Sequence, residues 1–223
     1  MNLLYPKNNL SFELKKNIVN NWVIEDSHLF ERFVKDLYED VHGLEDNFVL
    51  SHDYESLNIS KSIAFVMSPL DFEYDKRDFS KKFISYFKRD IDENDFTQKI
   101  VEKYTELKDL IEDICLISDI PIEFNDMIDE NDIIKHFDIH IKTPQGSFAE
   151  NIIEYGSVLK RLTDKNVMIF ANCEAYINDD EYEYIRKYIK SEEFYILFVS
   201  NRKIDSVVIE NTCIIDIDMC EIY

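Results

Sequence analysis

Short apolar runs separated by amphipathic helical stretches constrain this chain more than any other feature of its sequence. Trp22-Val23-Ile24, Ile63 to Met67, Val167 to Ala171, Tyr195 to Val199 and Cys213 to Ile217 are each five residues or fewer. Apolar runs of that length with polar flanks read as buried strands. Phe12 to Lys15 alternates apolar with polar, like a half-buried strand. Asp26 and Ser27 are N-cap candidates, after which Leu29, Phe30, Phe33, Val34, Leu37 and Tyr38 recur at helical spacing until Gly43 closes the helix. Phe148, Ile152, Ile153, Leu159 and Leu162 line another helix. Asn178 with Glu181 forms a capping pair for one that runs through Ile189. Strands alternating with helices in this way predict an α/β fold with a mainly parallel sheet covered on both faces.

The alternation stops between residues 70 and 138, where the pattern is helical. Phe79, Phe83, Ile84 and Phe87 mark one amphipathic helix. Phe96, Ile100, Tyr104, Leu107, Ile111 and Ile114 follow at intervals of four, four, three, four and three, the spacing of a coiled-coil seam. A short third helix is predicted from Asp129 to Phe137. The expected organisation is an α/β head, residues 1–68 and 139–223, interrupted by a helical insertion over 69–138.

Thirteen tyrosines, sixteen phenylalanines and a 45% hydrophobic composition supply enough apolar surface for a sizeable core and argue against disorder. No apolar run approaches the ~20 residues that span a bilayer. The first residues lack the basic-then-apolar order of a signal peptide. Cys115, Cys173, Cys213 and Cys220 have no metal-binding spacing, and reduced thiols in a cytoplasmic protein are expected. The net charge of −21 argues against nucleic acid as a partner, unless lysines are concentrated on one face.

The candidate sites follow from these elements. Glu25-Asp26-Ser27-His28 occupies the strand-to-helix turn where a phosphate-binding loop would lie. Such a loop needs glycines and a lysine. The turn has neither, in a chain with only three glycines, so nucleotide binding is not expected. Asn172, Cys173 and Glu174 end a strand where nucleotide hydrolases carry a phosphate sensor; without the loop they read as a polar strand end. Glu13-x-Lys15 matches half of a metal-dependent nuclease signature. Asp71-x-Glu73-x-Asp75 reads as an exposed acidic turn, and the five histidines as surface or hydrogen-bonded groups. Glu123, Asp126, Asp129, Glu130 and Asp132 crowd five carboxylates together without a basic residue. Two readings stand for them: oxygen ligands for calcium, or an acidic helix N-terminus favoured by the dipole. Lys76, Arg77, Lys81, Lys82, Lys88 and Arg89 form the densest basic stretch, interleaved with Phe79, Phe83, Tyr86 and Phe87. They are either phosphate contacts or a solvated helix face.

The stretch Leu162 to Asn172, with Asn178 to Glu181, Tyr188-Ile189 and Tyr195 to Val199, resembles the accessory adaptation family of type II-A CRISPR systems. So do Val23-Ile24-Glu25-Asp26 followed by Phe30, and the helical insertion after Pro69. The resemblance covers essentially the whole chain. It implies a homotetrameric ring of α/β heads, related to degenerate phosphate-loop hydrolases, with helical legs. It further implies non-enzymatic binding of double-stranded DNA ends during spacer acquisition, alongside other adaptation proteins and the RNA-guided nuclease. Calcium is the implied cofactor, and the positions that match the family's carboxylate ligands are Glu123, Asp126 and Asp132; Pro121 stands where a further acid is expected. Lys76, Arg77, Lys81, Lys82 and Lys88 are the candidate DNA contacts. The alternatives are a metal-dependent nuclease using Glu13 and Lys15, or a scaffold derived from a nucleotide-binding fold.

Overall fold

The computed structural model describes residues 1–70, 72, 77–124, 130–192, 194–202 and 209–222, with the side chains of residues 77, 78, 130, 131 and 174 outside that description. The chain forms two compact units. One joins Met1–Glu73 to Thr143–Tyr223, and the other is Tyr74–Lys142.

In chain order the first unit begins with β1 (Asn2–Tyr5), β2 (Leu10–Glu13), β3 (Val19–Ile24) and α1 (Ser27–Val41). Next come β4 (Val49–His52), β5 (Glu55–Leu57), the short α2 (Ile59–Ser62) and β6 (Ile63–Val66). The second unit contributes α3 (Arg77–Glu93), α4 (Phe96–Leu116) and α5 (Glu130–His136). The first unit then resumes with α6 (Phe148–Leu162), β7 (Val167–Ala171), α7 (Asp179–Glu192), β8 (Tyr195–Ser200), β9 (Asn211–Ile215) and β10 (Glu221–Ile222).

The larger sheet runs β10-β9-β3-β8-β7-β6, parallel throughout except for β10 at its edge. The sequence pattern predicts one sheet, whereas the structure has a second, antiparallel one ordered β2-β1-β4-β5. Its strands are short, but their period is clear once they are paired. Leu10 and Phe12 point inward while Ser11 and Glu13 point out, as the pleat of a one-sided sheet requires.

β3 is buried along its whole length because both faces of the large sheet are covered. On one face Trp22 and Ile24 join Leu29, Phe33 and Leu37 of α1 and Leu3, Tyr5, Phe12 and Leu50 of the small sheet in a single core. Its centre is aromatic. Trp22 stacks on Phe12 at 5.2 Å between centroids and meets Phe33 edge-on at 5.1 Å, while Tyr5 stacks on Phe48 at 4.5 Å. Each such pair adds roughly 0.5–1.5 kcal/mol beyond the area it buries. On the other face Phe170 lies edge-on to Phe148 of α6 at 5.8 Å and beside Phe198 at 5.4 Å. Gly156 lets α6 approach closely there: a Cβ at that position would lie 2.7 Å from the Tyr188 hydroxyl of α7.

Two aspartates on the buried side of α1 fix the helix to its surroundings. Asp40 accepts hydrogen bonds from the amides of Asn47 and Phe48 at 2.7–2.8 Å, which anchors the loop into β4. Asp36 accepts from the Tyr5 hydroxyl at 2.6 Å and from Lys7 Nζ at 2.7 Å. Burial works to raise the Asp36 carboxyl, but the hydrogen bonds from Lys7 and Tyr5 outweigh it and hold the group below its usual range. Burial first, then the same hydrogen bond, pushes the Tyr5 phenol well upward.

Because the folded carboxyl is depressed, its stabilisation is present above the ordinary carboxylate range and is lost as pH falls through the folded value. Asp36→Ala also leaves the buried Tyr5 hydroxyl without an acceptor, which costs about 1–3 kcal/mol. Urea unfolding is therefore expected to show that deficit at neutral pH. The gap to wild type should narrow in acid; an unchanged gap at the lowest accessible pH would show that Asp36 acts through packing alone.

Candidate nucleic-acid interface

Within the second unit, α3 carries Lys81, Lys82, Lys88 and Arg89. Phe79 and Ile91 are buried, and Phe83, Ile84, Tyr86 and Phe87 are half-buried, so the helix turns its aromatic side inward within the unit. Lys81, Lys82 and Arg89 are exposed and Lys88 is half-buried. Lys81 with Lys88, and Lys82 with Arg89, are seven residues apart, which places each pair on one side of the helix about 10 Å apart along its axis. Arg89 lies over the Tyr86 ring at 5.0 Å and 3.7 Å from Glu93. Among the described residues Lys81 and Lys82 form no ion pair. Lys76 lies outside the described residues, as does the Arg77 side chain.

α4 buries its predicted seam only in part. Ile100, Tyr104 and Ile111 are half-buried, but Phe96, Leu107 and Ile114 are 47–53% exposed and no residue of the helix is fully buried. Val101 and Leu110 add to that surface at 57% and 56%. A single neighbouring helix can cover only one stripe of an amphipathic partner, and α4 is apolar over a wider arc.

Of the three proposed calcium ligands, Glu123 and Asp132 fall within the described residues. Glu123 is exposed beyond the end of α4, and Asp132 lies on α5 with Oδ1 4.0 Å from Lys135 Nζ. Asp126 lies outside the described residues. Among the described residues no group of three His, Cys, Asp or Glu side chains could hold a metal ion. That includes Glu13, which is exposed at the end of β2, while the Lys15 amide donates to Asn20 Oδ1 at 2.8 Å. Residues 71, 73 and 75 also lie outside the description.

At the carboxyl end of β3, the place of a phosphate loop, the chain is already committed. The Glu25 amide donates to the Ile215 carbonyl at 2.9 Å, and Asp26 caps α1 by accepting from the Leu29 amide at 2.6 Å. A phosphate entering this turn would meet two carboxylates and compete with one of them for the helix amides. At the end of β7, Asn172 takes a left-handed φ of 53° and its Oδ1 faces the Asn201 amide at 3.4 Å. The Cys173 thiol is buried and donates to the Ala171 carbonyl at 3.3 Å. This strand end thus serves the adjoining loops.

Sequence reading missed a polar cavity at the amino ends of β7 and β8, lined in part by His52, Asp53, Lys165 and Tyr195. His52 belongs to a β4–β5 hairpin that carries no turn glycine, so neither its strands nor its place beside Tyr195 is signalled by the sequence.

These features define an α/β protein with a helical insertion, an unglycinated strand-to-helix turn and a basic helix as its nucleic-acid candidate. Residues 40–219 match the profile of the family described as CRISPR-associated protein (Cas_Csn2), and the chain belongs to that family. A CRISPR-associated protein Csn2 from Streptococcus agalactiae is 24% identical over 182 residues, 81% of each chain. Among solved structures, a putative ABC transporter ATP-binding protein from Pyrococcus furiosus aligns over 92% of this chain and 88% of its own, at 10% identity. Its TM-score is 0.37, too low to establish a shared fold. No helix among the described residues is long and apolar enough to cross a membrane.

The occupied turn at Glu25 and Asp26 predicts that titration calorimetry with ATP or GTP in magnesium gives no saturable heat. Asp26→Ala should lower stability by about 1 kcal/mol through the lost cap and should still confer no nucleotide binding. Micromolar binding by either protein would overturn this account of the turn.

Proposed function

We propose that this protein is a non-enzymatic, cytoplasmic DNA-end-binding ring, a homotetramer that acts with calcium in spacer acquisition. Its head is related to phosphate-loop hydrolases that have lost their nucleotide. The observation that carries this reading is family membership over residues 40–219. The partners would be double-stranded DNA ends, further copies of the chain, other adaptation proteins and the RNA-guided nuclease. Two features support it. α3 exposes Lys81 and Lys82 on a helix whose aromatic side is turned inward, which suits contact with phosphates rather than with bases. α4 leaves five large apolar side chains about half exposed, a surface that self-association would cover.

Contacts to phosphate make binding independent of sequence and steeply dependent on salt, each contributing roughly 0.9 to the slope of log affinity against log salt. Fluorescence anisotropy on a short linear duplex is expected to show weaker binding and a shallower slope for the Lys81→Ala/Lys82→Ala protein. Covalently closed duplex should bind less well than linear. Retention of both wild-type affinity and slope by the double variant would move the contacts to other lysines. Magnesium-dependent cleavage lost on Glu13→Ala would instead favour a nuclease.

Calcium and assembly are tested together. Light scattering should report a tetramer that Leu107→Asp/Leu110→Asp dissociates. Calcium should raise the melting temperature by mass action, and Asp126→Asn/Asp132→Asn should remove most of that rise. A wild-type monomer with or without calcium would sink the ring. An undiminished calcium response in the double variant would place the site elsewhere.

A further inference from the structure

The small sheet has one buried face and one solvent face, and its register fixes which residues occupy the second. Leu3, Tyr5, Leu10, Phe12 and Leu50 point into the core, so their strand neighbours point out. Leu4 of β1 stands opposite Ser11 of β2 and Val49 of β4. Asn2 stands opposite Glu13 and Ser51, with Ser56 of β5 paired to Ser51. Asn2, Ser11, Glu13, Val49 and Ser56 are exposed, and Leu4 and Ser51 are half-buried. Two aliphatic side chains thus meet on the two central strands, among hydroxyls and one amide. Val49 and Ser56 also border a groove of about 470 Å³ that continues this surface toward Gly43 and Ser60.

Charge sets this face apart from the helices of the same unit. Of its residues only Glu13, on the edge strand β2, is charged, in a chain where 32% of residues are. By contrast α1 exposes Glu31, Arg32 and Lys35, and α7 exposes Asp179, Asp180, Glu183, Lys187 and Lys190. Depletion of charge is the compositional mark of the core of a protein interface. It matters most for contact between copies of this chain, since each carries −21 and they repel one another. At physiological salt that repulsion is screened beyond about 8 Å. The charges that count are those at the contact itself, and this face brings almost none.

We propose that the outer face of the small sheet packs on the same face of another copy and forms a second contact of the assembly. The inference rests on the tetramer proposed above. A contact of α4 with α4 across a two-fold axis joins two copies and leaves neither helix free. Four copies then need a different, self-complementary face for their remaining contact. The small sheet supplies one. Across a two-fold axis the Leu4 and Val49 side chains meet their own counterparts. The surrounding serines and asparagine each both donate and accept hydrogen bonds, so they also pair with their own kind. Sheets stacked in this way lie about 10 Å apart.

The test is light scattering on the full-length protein at micromolar concentration. Leu4→Lys/Val49→Lys places two like charges on each side of the contact while keeping the buried face intact. It is expected to turn the tetramer into a dimer that retains its circular-dichroism spectrum. Leu107→Asp/Leu110→Asp is expected to give a dimer as well, and the four changes together a monomer. Leu4→Thr/Val49→Thr keeps good strand formers and covers the case in which the lysine protein does not fold. It should raise the dimer–tetramer dissociation constant about tenfold. A tetramer that persists unweakened in the small-sheet variants overturns this inference and leaves the ring standing. A wild-type dimer that only the lysines dissociate does the reverse, keeping the sheet contact and overturning the ring. A wild-type monomer, or a dimer that only the α4 changes dissociate, overturns both.

Discussion

Burial of β3 between two helical and strand layers is the constraint from which the rest of the first unit follows. Its inward row, Trp22 and Ile24, reaches the small sheet and α1 at once, because Trp22 touches both Phe12 and Phe33. Removing so large a side chain from a packed core costs about 3–5 kcal/mol, a large fraction of what holds a domain folded. The same strand carries Asn20, whose side chain accepts from the Lys15 amide and donates to the Ile196 carbonyl. Asn20 Oδ1 also accepts from Asn211 Nδ2 at 2.8 Å. One buried amide thus ties together the entry to β3 and both strands that flank it, β8 and β9. The small sheet is stable as a companion to this core, not by itself, since its apolar face is only as wide as a few short strands.

The large sheet and its helices were legible because they obey one period each. Val167 to Ala171 and Tyr195 to Val199 are continuous apolar runs, which only strands covered on both faces tolerate. The Asn178–Glu181 capping pair and the Asp26 cap were readable too, and both form. The small sheet was not. β4 and β5 have four and three residues, joined by Asp53-Tyr54 in place of a glycine-bearing turn, so neither length nor turn chemistry announces a hairpin. β3 was underestimated for a related reason: Val19, Asn20 and Asn21 are buried, yet paired asparagines read from sequence as the polar end of a strand.

At the candidate site, sequence and structure divide along the same line. The spacing of α3 told correctly which aromatic residues turn inward, because a helical period fixes the face. The intervals along α4 read as a coiled-coil seam. Spacing specifies that residues share a face; it does not say whether a partner exists for that face, and Leu107 and Ile114 remain half exposed. The cavity beneath the hairpin was invisible because its walls come from residues more than a hundred positions apart, as with His52 and Tyr195. Contacts of that kind belong to topology, and no local pattern encodes them.

The acidity of the chain remains to be reconciled with a polyanionic partner under the proposed function. Between Lys76 and Arg89 there are six basic residues and one acid, against a total of −21. The long-range field of the whole chain therefore opposes approach of a duplex, while the local field of α3 favours contact. Screening decides between them. At physiological salt the Debye length is about 8 Å, so exposed carboxylates farther than this from α3 contribute little at the moment of contact, whereas Lys81 and Lys82 act at hydrogen-bond range. Lowering the salt strengthens both terms, but it extends the reach of the repulsive one. Association should thus gain less at very low ionic strength than counterion release alone would give. The curve of log affinity against log salt should flatten there, in contrast to the straight line of a uniformly basic protein.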